Sequence, residues 1–371
     1  MHIVVLLLAS LSLADQQTPR QLPAAQASVQ DRLVRVRNDL FSASPHLADD
    51  VRELKAILGT DPQSVEGHLL LGMAYRAQGT LELLAEAVAE LRQAIEIDPA
   101  FGPARFYLAH VYFDLGRPAR AKEELEAALE HAPGNPQFMA SLGEAERQLK
   151  NPRKAVDIVR QALAADPSLA EGRYYLGLAL FDSGQINDAI KELEQVVAQT
   201  PGRPEACLAL GTVYNDAGRF DDAIKVLGQG TQADPSRADL RIQLARAYRS
   251  KGLLDRAEAE LARAQPKPNT TLAGSYVEHQ QLEFDLSLEQ GLIRMKRGQL
   301  VAAADAFKKA LGMDPNHGLA NNYLAQIYVH QGQFKLASEH AARAAKAGAP
   351  LPEAERKLLE AGLAKNPGVR E

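Results

Sequence analysis

The 371-residue chain carries 42 Lys and Arg against 47 Asp and Glu, a formal net charge of -5, with the two signs interspersed rather than gathered into a basic stripe. That balance argues against a general nucleic-acid binder. The single cysteine, Cys207, excludes an internal disulfide and any multi-cysteine metal site, and no region departs into a second composition that would mark off another domain.

In chain order, residues 1–14 hold an uninterrupted apolar run, Ile3 to Leu8, and end in Ser12-Leu13-Ala14 ahead of polar Asp15. This reads as an export signal, too short to serve as a stable transmembrane anchor, and it places the protein in the periplasm or outside the cell, with the cytoplasm as the alternative. Residues 15–27, rich in Gln, Pro and Ala, read as a disordered leader. From Ser28 a helical pattern begins with Leu33, Val36 and Leu40, breaks at Ser-Ala-Ser-Pro, and resumes with Val51, Leu54, Ile57 and Leu58, so that 28–64 forms a degenerate helix pair.

A strict period follows. Pro99, Pro133, Pro167, Pro201 and Pro235 stand 34 residues apart, and so do Leu108, Leu142, Leu176, Leu210 and Leu244, their small neighbours Ala109, Gly143, Gly177, Gly211 and Ala245, and Ala121, Ala155, Ala189, Ala223 and Ala257. Four columns in phase mean a stacked array rather than one globular core. The array covers 65–264 as six repeats. Pro62 to Pro99 is 37 residues, which puts three extra residues near Gly79 to Leu84, at the turn between helices. A larger insertion gives a linker at 265–274. Residues 275–349 hold two further repeats whose opening helix is lengthened, and 350–371 a capping helix and tail.

Within one unit, Ala170 to Pro201, the first half carries Tyr174, Leu176, Leu178, Leu180 and Phe181 at helical spacing over more than half the circumference. Gly184 supplies the left-handed residue that ends it. The second half presents Ala189, Leu193 and Val196 on one face and stops before Pro201. Gly177 opposite Ala189 lets two backbones approach, making an antiparallel hairpin. Ser168, Ser236 and Asn316, or a proline such as Pro136 and Pro204, begin the next unit's first helix. The fold class is therefore all-α, an α-solenoid.

The run Leu71-Gly72-x-x-Tyr75, repeated as Leu108-Ala109-x-x-Tyr112, Leu210-Gly211-x-x-Tyr214, Leu244-Ala245-x-x-Tyr248 and Leu324-Ala325-x-x-Tyr328, resembles the tetratricopeptide repeat. The resemblance implies a right-handed superhelix whose first helices line a concave groove, with protein or peptide partners lying there. Two departures stand out. The bulky aromatic that the family often has three residues before the leucine is replaced by His68, Arg105, Met139, Arg173, Cys207 and Arg241, and Glu146 and Arg294 replace the tyrosine in two copies.

Laid on that pattern, the groove residues are Phe106, His110, Phe113 and Asp114, then Tyr174, Phe181 and Asp182, then Leu208, Thr212, Asn215 and Asp216, then Ile242, Arg246 and Arg249. Aromatics beside acids imply a partner with apolar anchors and basic groups, with the arginines taking a carboxylate. The carboxylate-clamp column of chaperone-tail receptors would fall on Met73, His110, Glu144 and Leu178. The asparagine ladder of sugar-transferase arrays would fall on Leu70, Tyr107, Ser141, Tyr175 and Ala209, and neither signature is present. His110 with Asp114, and His279 with Glu283, are four apart on helices, but each pair lacks the third ligand of a metal site. With no Gly-rich phosphate loop and no nucleophile elbow, the reading is a non-enzymatic scaffold without cofactor, metal or nucleic acid. A self-associating subunit of an envelope secretion or polysaccharide-export machine is the alternative.

Overall fold

The computed structural model describes residues 28–42, 44–264 and 275–365, and among them every regular element is a helix. The signal segment, the leader, the 265–274 linker, the last residues of the tail and the His279 side chain lie outside the described residues. Helices α1 (Val29–Leu40) and α2 (Leu47–Thr60) are followed by the pairs α3 (Val65–Gln78) and α4 (Leu81–Ile97), α5 (Gly102–Asp114) and α6 (Pro118–His131), α7 (Pro136–Gln148) and α8 (Pro152–Ala165), and α9 (Ala170–Asp182) and α10 (Ile186–Gln199). Then come α11 (Pro204–Asp216) and α12 (Phe220–Ala233), α13 (Ala238–Ser250) and α14 (Leu254–Arg263), α15 (Ser275–Lys296) and α16 (Leu300–Met313), α17 (Gly318–His330) and α18 (Phe334–Lys346), and last α19 (Glu353–Lys365).

The helices fall into two units, one carrying α1–α10 and the other α11–α19. In the first, α2, α4, α6 and α8 each pack on their own first helix and on the first helix that follows, and α10 packs on α9. One continuous core runs from Leu33 to Ala145 through Leu54, Leu69, Leu84, Leu108 and Leu125. The second unit stacks its hairpins the same way, α12 lying on α11 and α13. This is an all-α solenoid: no hairpin buries both its faces alone, so each draws stability from its neighbours.

The close approach expected at the small column is present. A Cβ on Gly177 would stand 2.6 Å from Leu193 Cγ. At the hairpin turn Gly184 has φ 80, and the Gln185 N–H donates to Leu180 O at 2.9 Å, the six-residue closure of a Schellman end. In α7's turn the same closure, Asn151 N–H to Glu146 O at 2.9 Å, is made with Lys150 holding φ 66 where its counterparts are glycine.

Three details differ from the sequence reading. Ser168 and Ser236 do not cap the next helix. Their N–H and Oγ donate back to Asp166 and Asp234, making an Asx turn that hands the cap position to Leu169 and Arg237. Asn316 turns back to Asp314 in the same way, leaving His317 as the cap. The three extra residues near Gly79 to Leu84 do not lengthen the turn, which is only Gly79-Thr80. They lengthen α4 to 17 residues, because the Thr80 hydroxyl accepts the Leu83 N–H and starts that helix early.

The missing aromatic column has a physical replacement. Arg105, Arg173 and Arg241 each donate to the carbonyl of the proline six residues earlier and to Glu124, Glu192 and Glu260 on their own second helix, with Arg–Glu distances of 3.1, 3.1 and 2.7 Å. His68 makes the same two contacts with Pro62 O and Glu90, and Asn321 with Pro315 O and His340. In the copies between, the corresponding pairs are Met139 with Ile158 and Cys207 with Val226. From the second repeat of the 65–264 array to the sixth, hairpins closed by a charge pair therefore alternate with hairpins that hold apolar residues at both places. Glu146, standing for the tyrosine in the third repeat of the array, is 1% exposed and accepts from Lys154 at 2.7 Å and Asn151 at 2.9 Å, with Lys122 3.0 Å away.

Candidate binding surface

The first helices of unit 1 present α3, α5, α7 and α9 in succession, and the residues assigned to a groove divide there by burial. Phe106 is 8% exposed, with its ring 5.4 Å from Phe138 of α7 and 4.5 Å from His110, so it ties two hairpins together. His110 stacks edge-on against Phe113 at 5.7 Å and places Nε2 3.4 Å from Ser141 Oγ. Burial pushes the His110 pKa down to about 3, with the positive charge of Arg76 adding to the effect, so the imidazole is neutral and a poor general base at neutral pH. Phe113, Tyr174, Leu178 and Phe181 are half-buried. They offer apolar surface on α5 and α9.

The charged members of the set are already engaged. Arg76 of α3 donates through Nε and Nη2 to both oxygens of Asp114 on α5. Arg147 of α7 grips Glu144 through Nε at 2.7 Å and Nη2 at 2.8 Å, and reaches Asp182 of α9 through Nη1 at 2.7 Å. Burial disfavours the Arg147 charge, but the hydrogen bonds it donates to Glu144 and Asp182 outweigh this and raise its pKa. His110 and Asp114 therefore turn to different partners and do not converge as ligands. Among the described residues no group of three His, Cys, Asp or Glu side chains does so.

Unit 2 repeats the theme with other residues. Asn215 is 5% exposed and donates to Gln243 O of α13 at 3.0 Å, Asp216 accepts from Arg246 at 3.0 Å, and Ile242 is 3% exposed. Leu208 and Thr212 are half-buried. Arg249 meets Glu289 of α15 through Nε at 2.6 Å and Nη2 at 3.2 Å. The sequence pattern marks one end of most of these pairs as groove residues and leaves out the partners Arg76, Arg147, Gln243 and Glu289, with Glu144 entering only as a place in the clamp column. A column signal existed for two of them: Arg76 and Arg147 lie five places after their motif leucines, and Asp114 and Asp182 lie six places after theirs in the next copy.

A tetratricopeptide repeat model matches residues 82–144, 113–180, 146–211, 180–235, 214–273 and 294–361. The chain belongs to the tetratricopeptide repeat family. No curated protein matches this tetratricopeptide repeat chain over its sequence. Among solved structures it is similar to a chain of the APC/C hetero-tetramer Cut9-Hcn1, with 15% identity and a TM-score of 0.67 over 90% of this chain and 63% of that one. It is also similar to a tetratricopeptide repeat protein from Parabacteroides merdae, with 15% identity and a TM-score of 0.53 over 70% of this chain and 98% of that one. These are likenesses of fold. The chain spans less than two thirds of the Cut9-Hcn1 chain it matches. Tetratricopeptide repeats bind protein or peptide partners, and no helix among the described residues is long and apolar enough to cross a membrane.

Proposed function

We propose that the protein is a non-enzymatic, exported scaffold that holds a protein or peptide partner on its first-helix face. The observation that carries this reading is the pairing pattern of unit 1: apolar Phe113, Tyr174, Leu178 and Phe181 remain partly open, while Asp114, Arg147 and Asp182 have their charges satisfied within the repeat stack. Recognition then rests on apolar anchors, each contributing roughly 1 kcal/mol as the partner covers the open part of a side chain already half-buried, since burial from full exposure is worth about 1.5–3 kcal/mol. The apolar run Ile3 to Leu8, ahead of Ser12-Leu13-Ala14, supports placement in the cell envelope.

The test is affinity capture from the native host with the wild-type protein and with Leu178→Glu, which puts a charge among the open apolar side chains without removing an ion pair. A partner held by the wild type and lost by the variant is the expected result. A partner retained equally by both, with the variant folded, would refute the surface. Amino-terminal sequencing of the mature protein should begin at Asp15, and an intact Met1 would refute export by cleavage.

A further inference from the structure

Where α1 turns into α2, two carboxylates meet across the hairpin. Asp39, in the last turn of α1, accepts the His46 backbone N–H on Oδ2 and lies 3.1 Å from His46 Nδ1 through Oδ1. Asp50, in the first turn of α2, is 6% exposed, and its Oδ2 is buried without a donor to accept from. Asp50 lines one cavity with Asp39, another carboxylate, and the interaction with Asp39 disfavours the Asp50 charge. Two carboxylates can share a hydrogen bond only when one of them carries a proton.

The surrounding charges do not relieve the pair. From α1, Arg32 is bound to Glu53 of α2 at 2.7 Å; on α2, Arg52 is bound to Asp49 at 2.7 Å. Arg35 lines the 620 Å³ cavity beside Asp39 and Asp50 without an ion pair to either. From α3, Glu66 receives Arg37 at 3.3 Å, His68 faces Glu90 at 2.6 Å and Arg76 holds Asp114. His46, on the connection, acts favourably on Asp50 but binds Asp39, and Asp49 adds repulsion.

We propose that the α1–α2 hairpin is a proton-dependent terminal cap, seated on α3 when Asp39 and Asp50 share one proton and loosened when both are ionised. The hairpin is built for this, because α1 adds Leu33, Val36 and Leu40 to the end of the unit 1 core and packs on α2 and α3 alone among the principal contacts. Burial, then the neighbouring Asp39, raises the Asp50 pKa to about 7. The sign follows. The seated hairpin binds the proton more tightly than the open one, so the opening constant rises by up to about tenfold for each pH unit between the ordinary carboxylate range and about 7, and is level above.

Hydrogen exchange of the full chain, corrected for the intrinsic pH dependence of exchange, reads this directly. Wild-type α1 amides should lose protection about tenfold per unit between pH 5 and 7 and hold level to pH 8.5, while α5 amides keep one value throughout. Asp50→Asn should hold α1 at its acidic level across the range, and Asp39→Asn, whose amide can donate to Asp50, should flatten the profile too. A flat wild-type profile, an equal slope in α5, or a slope unchanged in Asp50→Asn would overturn the proposal. If Asp50→Asn loses helix content, the wild-type profile and Asp39→Asn decide by the same criteria.

Discussion

Gly177→Ala adds one methyl group where the hairpin has no room for it. The new Cβ would stand 2.6 Å from Leu193 Cγ and 2.8 Å from Leu193 Cδ2, about 1 Å inside ordinary contact. Leu193 is fully buried, and in a close-packed interior a turn of its side chain must displace neighbours. Alanine is the better helix former by about 1 kcal/mol, whereas overpacking a tight core costs about 1–3 kcal/mol. The expected net loss is about 1 kcal/mol, read as a lower urea midpoint. Gly228→Ala in α12 is the matched control, since its Cβ would meet nothing within 4 Å, and it should gain about 0.5–1 kcal/mol. Leu193→Ala costs about 2–5 kcal/mol alone. Combined with Gly177→Ala it should cost less than the sum, because the added methyl fills part of the hole. A Gly177→Ala protein stabilised as much as the Gly228→Ala control would refute the hairpin register.

Arg173→Met should cost about 1–3 kcal/mol by leaving Glu192 half-buried and unpaired, whereas Arg173→Met with Glu192→Ile, which reproduces the Met139 and Ile158 pair, should return to within about 1 kcal/mol of wild type in chemical denaturation. Glu146→Gln should lose about 1.5–3 kcal/mol at pH 7. Burial would raise the Glu146 pKa, but hydrogen bonds from Lys154, Lys122 and Asn151 outweigh it and hold it at about 2, so the stabilisation is present above the ordinary carboxylate value, lost as pH falls toward 2, and the gap between variant and wild type should close over that range. Lys150→Gly, which relieves a left-handed non-glycine residue, should raise the unfolding midpoint by an amount equivalent to about 0.5–1 kcal/mol.

The proline and glycine columns made the hairpin ends legible because each acts locally: proline restricts the residue before it, and Gly184 fits a left-handed turn that other residues resist. The pairings that replace the family's aromatic were not legible by motif. Arg105 and Glu124 sit 19 residues apart on different helices, and only the geometry of the hairpin brings them together. The same holds for the candidate surface. Asp114 and Asp182 were readable as exposed acids on a helix, but their partners lie 38 and 35 residues away on neighbouring first helices. Phe106 reads from its spacing as a groove aromatic. It is buried because Phe138, one repeat later, is close enough to cover it.

Paired charges on a recognition face change what kind of partner fits it. A ligand carboxylate that drew Arg147 away would leave Glu144, whose side chain is 7% exposed, with the neutral Gln148 amide at 2.8 Å in place of a cation, and removing the cation from such a buried charge costs up to about 3–5 kcal/mol. The gain from a new, partly exposed ion pair is about 0–1 kcal/mol, so the exchange is unfavourable. The outer pair of Asp216 and Arg246, with side chains 37% and 39% exposed, is cheaper to break, and it lies in the other unit. For unit 1 the favourable course is to leave the ion pairs in place and cover the apolar side chains between them. Affinity measured there should vary less than about threefold between low and high salt, since screening acts on exposed charges and not on buried apolar area. A salt dependence of tenfold or more would mean that the partner takes over the charges after all.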